Sequence, residues 1–165
     1  VLNIPLIDKI INRISLALVM GLHHISWKST SSGVEDEYIH AAALSWLVGS
    51  DEYVEIERLN SYHGSPVHSV TAEINKRSKA TKSLARLGKV ALESLLLELN
   101  QRMDESNVIH IRLDLLDLLS QKITLAVSGE RRTIKGRAKL EVYPGSNPED
   151  VASELIRTSI AAADF

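Results

Sequence analysis

The sequence predicts a mainly α-helical protein, a bundle of about five or six helices with a β-hairpin placed before the C-terminal one. Three observations carry that expectation. From Lys76 to Met103 the residues Ala80, Leu84, Leu87, Ala91, Leu95 and Leu99 fall within one arc at roughly 100° per residue, while Lys79, Lys82, Arg86 and Lys89 fall on the other side. Near the start, Ile7, Ile10, Ile11, Ile14, Leu18, Leu22 and Ile25 keep the same three-four spacing. Farther on, the β-leaning runs Thr124 to Val127 and Ala138 to Val142 flank Ser128, Gly129 and Gly136, which suit a turn. The chain of 165 residues is long enough to bury a core without disulfides or metals. It reads as one domain over 1–165, with a helical core over 3–122 and 147–163 and the hairpin over 123–143 as an appendage.

Taken in order, Asn3, Ile4 and Pro5 open a first helix that runs to about Ile25, because proline in a first turn gives up an amide that has no partner there. His23, His24 and Trp27 follow, and Lys28 to Gly33 reads as a loop. Ser32 with Glu35 makes a Ser-x-x-Glu capping box, so a second helix begins at Val34, with Glu35, Asp36 and Glu37 suiting its dipole, and ends at Gly49. Ser50 to Asn60 fits either a short helix or a strand built on Val54 and Ile56, and the helix is preferred. Ser65 caps and Pro66 opens a bent helix, or two abutting ones, reaching Met103, with Gly88 as a weak point. Ile109, Ile111 and Leu113 alternate with His110, Arg112 and Asp114, a short strand, before Leu115 to Ile123 return to helical spacing. Asn147, Pro148, Glu149 and Asp150 supply cap, proline and acidic first turn for a last helix.

The chain has no cysteine, which removes disulfides, thiolate metal sites and cysteine nucleophiles and suits a reducing, cytoplasmic setting. The longest apolar run, Leu16 to Met20, is far short of the roughly 18 residues of a membrane span. With Asp8 ahead of Lys9 and no small-residue cleavage site, residue 1 onward reads as mature protein. None of the eight glycines forms a phosphate-cradling GxGxxG or GxxxxGK[ST] loop, and no Gly-x-Ser-x-Gly elbow occurs, so nucleotide hydrolysis and serine-hydrolase chemistry are disfavoured. His23, His24, Glu37 and His40 are the richest candidate metal group. Glu37 and His40 have the Glu-x-x-His spacing of di-iron helices, but Glu73, Glu93 and Glu98 lack a histidine three residues on. No metal, cofactor or catalytic residue is assigned.

The net charge of −2 conceals a strong polarity. Lys76, Arg77, Lys79, Lys82, Arg86 and Lys89 contribute +6 without an intervening acid, and Lys122, Arg131, Arg132, Lys135, Arg137 and Lys139 with Glu130 contribute +5, leaving −13 on the rest. Such segregation points to a polyanion surface on an acidic body, and a basic helix face that is merely solvated is the plainer explanation for the first segment. Neither segment contains an aromatic platform, although the chain has 7 aromatics, so base stacking is disfavoured and backbone tracking is not. The expected function is a non-enzymatic subunit of a ribonucleoprotein complex or viral particle. It meets a nucleic-acid backbone or an acidic protein through Lys76, Arg77, Lys79, Lys82, Arg86, Lys89, Arg131, Arg132, Lys135, Arg137 and Lys139, and forms oligomers. Two alternatives are kept: a self-associating capsid or filament protein whose basic segments dock on a neighbour's acidic body, and a metal protein or enzyme centred on His23, His24, Glu37 and His40.

Overall fold

The computed structural model describes residues 21–127, 129 and 131–165. In chain order the elements are β1 (Leu22–Ser32), α1 (Glu37–Val48), β2 (Val54–Asn60), β3 (Pro66–Ile74), α2 (Arg77–Leu84), α3 (Lys89–Leu97), α4 (Leu99–Arg102), β4 (Val108–Asp114), α5 (Leu115–Leu119), β5 (Thr133–Leu140) and α6 (Pro148–Ala162). The strands form one antiparallel sheet in the order β2-β3-β1-β5-β4. This is a mixed α/β fold, and it overturns the expectation of a mainly helical bundle.

Alternation along the strands sets the two faces of this sheet. Ile25 and Trp27 on β1, Val70, Ala72 and Ile74 on β3, Ile109, Ile111 and Leu113 on β4, and Ile134 and Ala138 on β5 are buried in one cluster. The helices cover that face with Leu44 and Leu47 of α1, Ala80 and Leu84 of α2, Leu92 and Leu95 of α3, and Ala152, Leu155 and Ile156 of α6. Between the central strands, Trp27 lies opposite Gly136. A Cβ built on Gly136 would stand 2.3 Å from the Trp27 ring, so the indole occupies the space of the missing side chain. Among the described residues, no helix covers the other face of β1 and β5, where His24, Lys28, Thr30, Lys135 and Arg137 are exposed.

Four elements were misjudged from sequence, each for a physical reason. Of the first helix, residues 3–20 lie outside the described residues, and Leu22 to Ile25 are strand; the buried positions Ser29 and Ser31 had disguised the alternation of β1. Ser50 to Asn60 forms a single 3-10 turn over Asp51–Tyr53 and then β2, in which Val54 and Ile56 do alternate. Val67, Val70 and Ile74 fit a helical spacing by coincidence, while Val70, Ala72 and Ile74 take a strand face, so the long helix begins only at Arg77. Among the described residues the hairpin expected over 123–143 does not form. Leu125 makes one bridge to Leu113, and the strand from Thr133 pairs with β1 and β4.

Signals that depend on neighbouring residues were read more closely. Asn147 accepts from the amides of Glu149 and Asp150 to cap α6, with Pro148 at its start. Glu35 accepts from the Ser32 amide at 2.6 Å, half of the predicted box, although Asp36 is the cap of α1. Gly88, with φ of 83°, does interrupt the long helix.

The contact between Trp27 and Gly136 yields a stability prediction. Gly136→Ala forces a methyl into the buried indole and lowers unfolding free energy by about 1–3 kcal/mol, while Leu95→Ala on the helical side costs about 2–5 kcal/mol. Chemical denaturation measures both, and a change under about 0.5 kcal/mol for Gly136→Ala, the range of ordinary surface substitutions, contradicts the packing described.

Candidate nucleic-acid interface

Burying alternate residues of β1, β5 and β4 against the helices turns their intervening residues outward. Lys28 of β1 stands directly opposite Lys135 of β5, and Lys135 stands directly opposite Arg112 of β4. The next row holds Ser26, Arg137 and His110, and the one beyond it His24, Lys139 and Val108. Across the sheet the sign reverses: Glu55 and Glu57 of β2 and Glu73 of β3 are exposed on the same face. Two depressions mark the halves. One of about 330 Å³ is lined by Glu52, Tyr53, Glu55, Thr71, Glu73 and Asn75, and one of about 340 Å³ by Lys28, Thr30, Leu115, Arg132, Thr133 and Lys135.

The cations of this face divide by what already holds them. Arg131 Nε lies 3.1 Å from the buried Asp114 carboxylate. Arg132 binds Glu35 and donates to the Thr30 carbonyl at 2.9 Å, and Lys139 donates to the Ser106 carbonyl. Lys28, Arg112, Lys135 and Arg137 have no ion-pair partner among the described residues. His110 pairs with Asp104 at 2.7 Å, and that contact holds the Asp104 carboxyl below its usual range. Within the five strands the only Phe, Tyr or Trp is Trp27, which faces the helices, so no such ring stands on the cationic rows.

The basic helical segment is distributed differently. Arg77 pairs with the buried Glu141 at 2.6 Å. Arg86 donates from Nε to the Leu47 carbonyl and from Nη2 to the Trp46 carbonyl, closing the C-terminal end of α1, where a cation also suits the helix dipole. Lys76, Lys79, Lys82 and Lys89 are exposed, but the break at Gly88 puts Lys89 on a new helix, so the predicted continuous stripe is not formed. These cations belong to the helical layer, whereas Lys135 and Arg137 occupy the opposite face of the sheet. Lys28 and Arg112 were missed from sequence because each is isolated in the chain; the alternation of His110, Arg112 and Asp114 was the available signal for the second.

The histidine group does not assemble. His24 is opposite Lys139, whereas Glu37 contacts His68 and Arg58 beyond the other end of β1, where His68 is opposite Ser31. Seven strand residues separate those positions, about 23 Å at 3.3 Å each. Among the described residues no group of three or more His, Asp or Glu has a metal-holding arrangement. Under the sheet, Ser29 Oγ and His40 Nδ1 are 2.6 Å apart and His40 Nε2 is 3.7 Å from Glu35, which has the sequence of a hydrolase relay. Ser29 and His40 are 1% and 3% exposed, however, so the hydroxyl faces the core and the contact anchors α1 to β1. Arg132 is the main reason the Glu35 carboxyl falls to about 2, Arg58 holds that of Glu37 low, and burial lowers the pKa of His40.

A family described as RNA binding matches residues 25–140, from the fourth residue of β1 to the end of β5, and so spans nearly the whole sheet. The chain belongs to that family. Among solved structures, a DUF54 protein from Methanothermobacter thermautotrophicus is 26% identical, with a TM-score of 0.66 over 85% of this chain and 98% of its own. A second DUF54 protein, from Archaeglobus fulgidus, is also 26% identical, with a TM-score of 0.65 over 82% and 98%. A UPF0201 protein from Methanococcus jannaschii, 10% identical with a TM-score of 0.55 over 81% and 98%, shares the fold. None of the curated proteins matches the chain. No helix of the described residues is long and apolar enough to cross a membrane.

The buried His40 gives a pH prediction. Its folded pKa lies below the ordinary value near 6.5, so the unfolded chain takes up the proton first and stability, complete above that pH, falls as the pH drops through it. Glu35 adds a second loss from 4.5 down toward about 2. Unfolding free energy measured across pH 5–8 should fall on the acid side in the parent, and the fall should be smaller in His40→Gln. Equal slopes in the two proteins contradict the assignment.

Proposed function

We propose that this chain binds RNA along the phosphate backbone, without reading base sequence, through the β1, β5 and β4 side of its open sheet face. It does so as a non-enzymatic subunit of an intracellular assembly. The row Lys28, Lys135, Arg112 carries the proposal. Like charges directly opposite on neighbouring strands destabilise a sheet, and no ion pair among the described residues offsets this row. An external polyanion supplies the missing counter-charge. Membership of the RNA-binding family favours RNA as that polyanion. The absence of Phe, Tyr and Trp from the outward strand positions favours backbone contact over stacking, and the burial of Ser29 and His40 argues against a nucleophile there.

Lys76, Lys79, Lys82 and Lys89 form a separate surface for a second stretch of backbone or for an acidic partner protein. Oligomer formation is supported by the division of the sheet face into acidic and basic halves, which lets one copy's cations meet another copy's carboxylates.

Replacing Lys28, Arg112, Lys135 and Arg137 together with Ser tests the assignment. RNA affinity should fall by a similar factor for unrelated sequences. The slope of log affinity against log salt should flatten by about 3 units, since each cation that neutralises a phosphate contributes roughly 0.7 to 0.9. Stability should hold or rise. If this variant binds RNA as the parent does while Ser at Lys76, Lys79, Lys82 and Lys89 abolishes binding, the interface is the helical layer. If RNA binding is kept and self-association is lost, the face serves contact between copies.

A further inference from the structure

The depression at the Ser32 end of β1 differs from the rest of the cationic face in being built from hydroxyls and a braced guanidinium as well as lysines. Lys28 and Thr30 lie two apart on β1, Thr133 and Lys135 two apart on β5, so all four side chains stand on the open face. Arg132 completes the rim. Its Nη1 donates to Glu35 Oε1 and its Nη2 to both Glu35 Oε2 and the Thr30 carbonyl, while Glu35 is itself held by the Ser32 amide. Three contacts thus fix the guanidinium, and of its five N–H donors two, on Nε and Nη1, have no partner among the described residues. The Thr30 and Thr133 hydroxyls likewise make no hydrogen bond among the described residues.

We propose that this depression seats one phosphate group of the bound RNA, with Arg132 as a pre-positioned donor, Lys28 and Lys135 as flanking charges, and the Thr30 and Thr133 hydroxyls as donors to its oxygens. The proposal rests on the reading that the sheet face binds RNA and narrows it to a definite seat. The charge balance suits the ligand: three cations against Glu35 leave +2, and a terminal phosphate monoester carries about −1.5 to −2 at pH 7. An internal phosphodiester offers the same oxygens with less charge. An arginine already fixed by a carboxylate loses little side-chain freedom on binding, and an N–H that the carboxylate leaves free can donate to a phosphate oxygen.

Thr30→Val with Thr133→Val tests the seat, because valine keeps the β-branched shape that strands accept and leaves every charge in place. The probe is one RNA oligonucleotide made with a 5′-hydroxyl or a 5′-monophosphate, titrated against the parent, the double valine variant, and a control carrying Arg112→Ser and Arg137→Ser. The valine variant should lose about tenfold or more in affinity, as expected for lost hydrogen bonds to a charged group, with an unchanged salt slope. Loss confined to the phosphorylated RNA assigns the seat to a terminal monoester; equal loss on both RNAs assigns it to an internal diester. Parent-like binding of both RNAs by the valine variant, while the arginine control weakens, overturns the seat and leaves the sheet reading intact. Failure of the parent to bind either RNA, or an arginine control that binds as the parent does, overturns the sheet reading and the seat with it.

Discussion

The packing of Trp27 onto Gly136 across the centre of the sheet is the contact on which the remaining arrangement depends. β1 and β5 are interior strands, so each must satisfy two neighbours while burying one face. Placing a full indole on that face leaves no room for a side chain opposite it, and Gly136 provides the space. Once Ile25, Trp27, Ile134 and Ala138 are turned toward the helices, the period of two leaves Lys28, Lys135 and Arg137 no direction but outward. The cationic face is therefore a consequence of how the core is filled. A register slip of one residue would bury lysines and expose the tryptophan, which is why the core specifies the interface.

Beneath the same strands, polar contacts position the margin of that face. Ser29 and His40 tie α1 to β1, and Glu35, just before α1, reaches Arg132 at the approach to β5. Segments far apart in sequence thereby converge on one end of the sheet. The rim of the basic depression is held by Glu35, ahead of α1, and by the Thr30 carbonyl of β1, while its lysines come from the strands. Arg131 and Arg132 serve this architecture, and the exposed cations Lys28, Lys135 and Arg137 and the half-buried Arg112 carry no comparable structural duty.

How much of this could be read from the chain depended on how local each signal was. The last helix was legible because cap, proline and acidic first turn are consecutive at Asn147 to Asp150. The short strand at Val108–Asp114 and the helix after it were legible because the apolar period changes there. The six residues expected to form a core along the stretch from Lys76 to Met103 are all buried, although three helical pieces and a 3-10 turn stand where one bent helix or two abutting ones were expected. By contrast, β1 hid behind the buried Ser29 and Ser31, the first of which is satisfied by His40 eleven residues away, and β5 could not reveal that its partners are β1 and β4. The site divides in the same way. Lys135 and Arg137 stood out by charge density, Lys28 and Arg112 join them only through strand register, and the partners of the exposed Arg77 and Arg86 were hidden because Glu141 and the end of α1 are distant in sequence.

The central claim is a location, the outward face of β1, β5 and β4, and amide chemical-shift mapping of the protein titrated with a short RNA tests it most directly. Saturable shifts concentrated at Lys28, Thr30, Arg112, Lys135 and Arg137, with Glu55 and Glu57 of the acidic half unmoved, are the result the account predicts. Shifts concentrated at Lys76, Lys79, Lys82 and Lys89, with the strands silent, would contradict it.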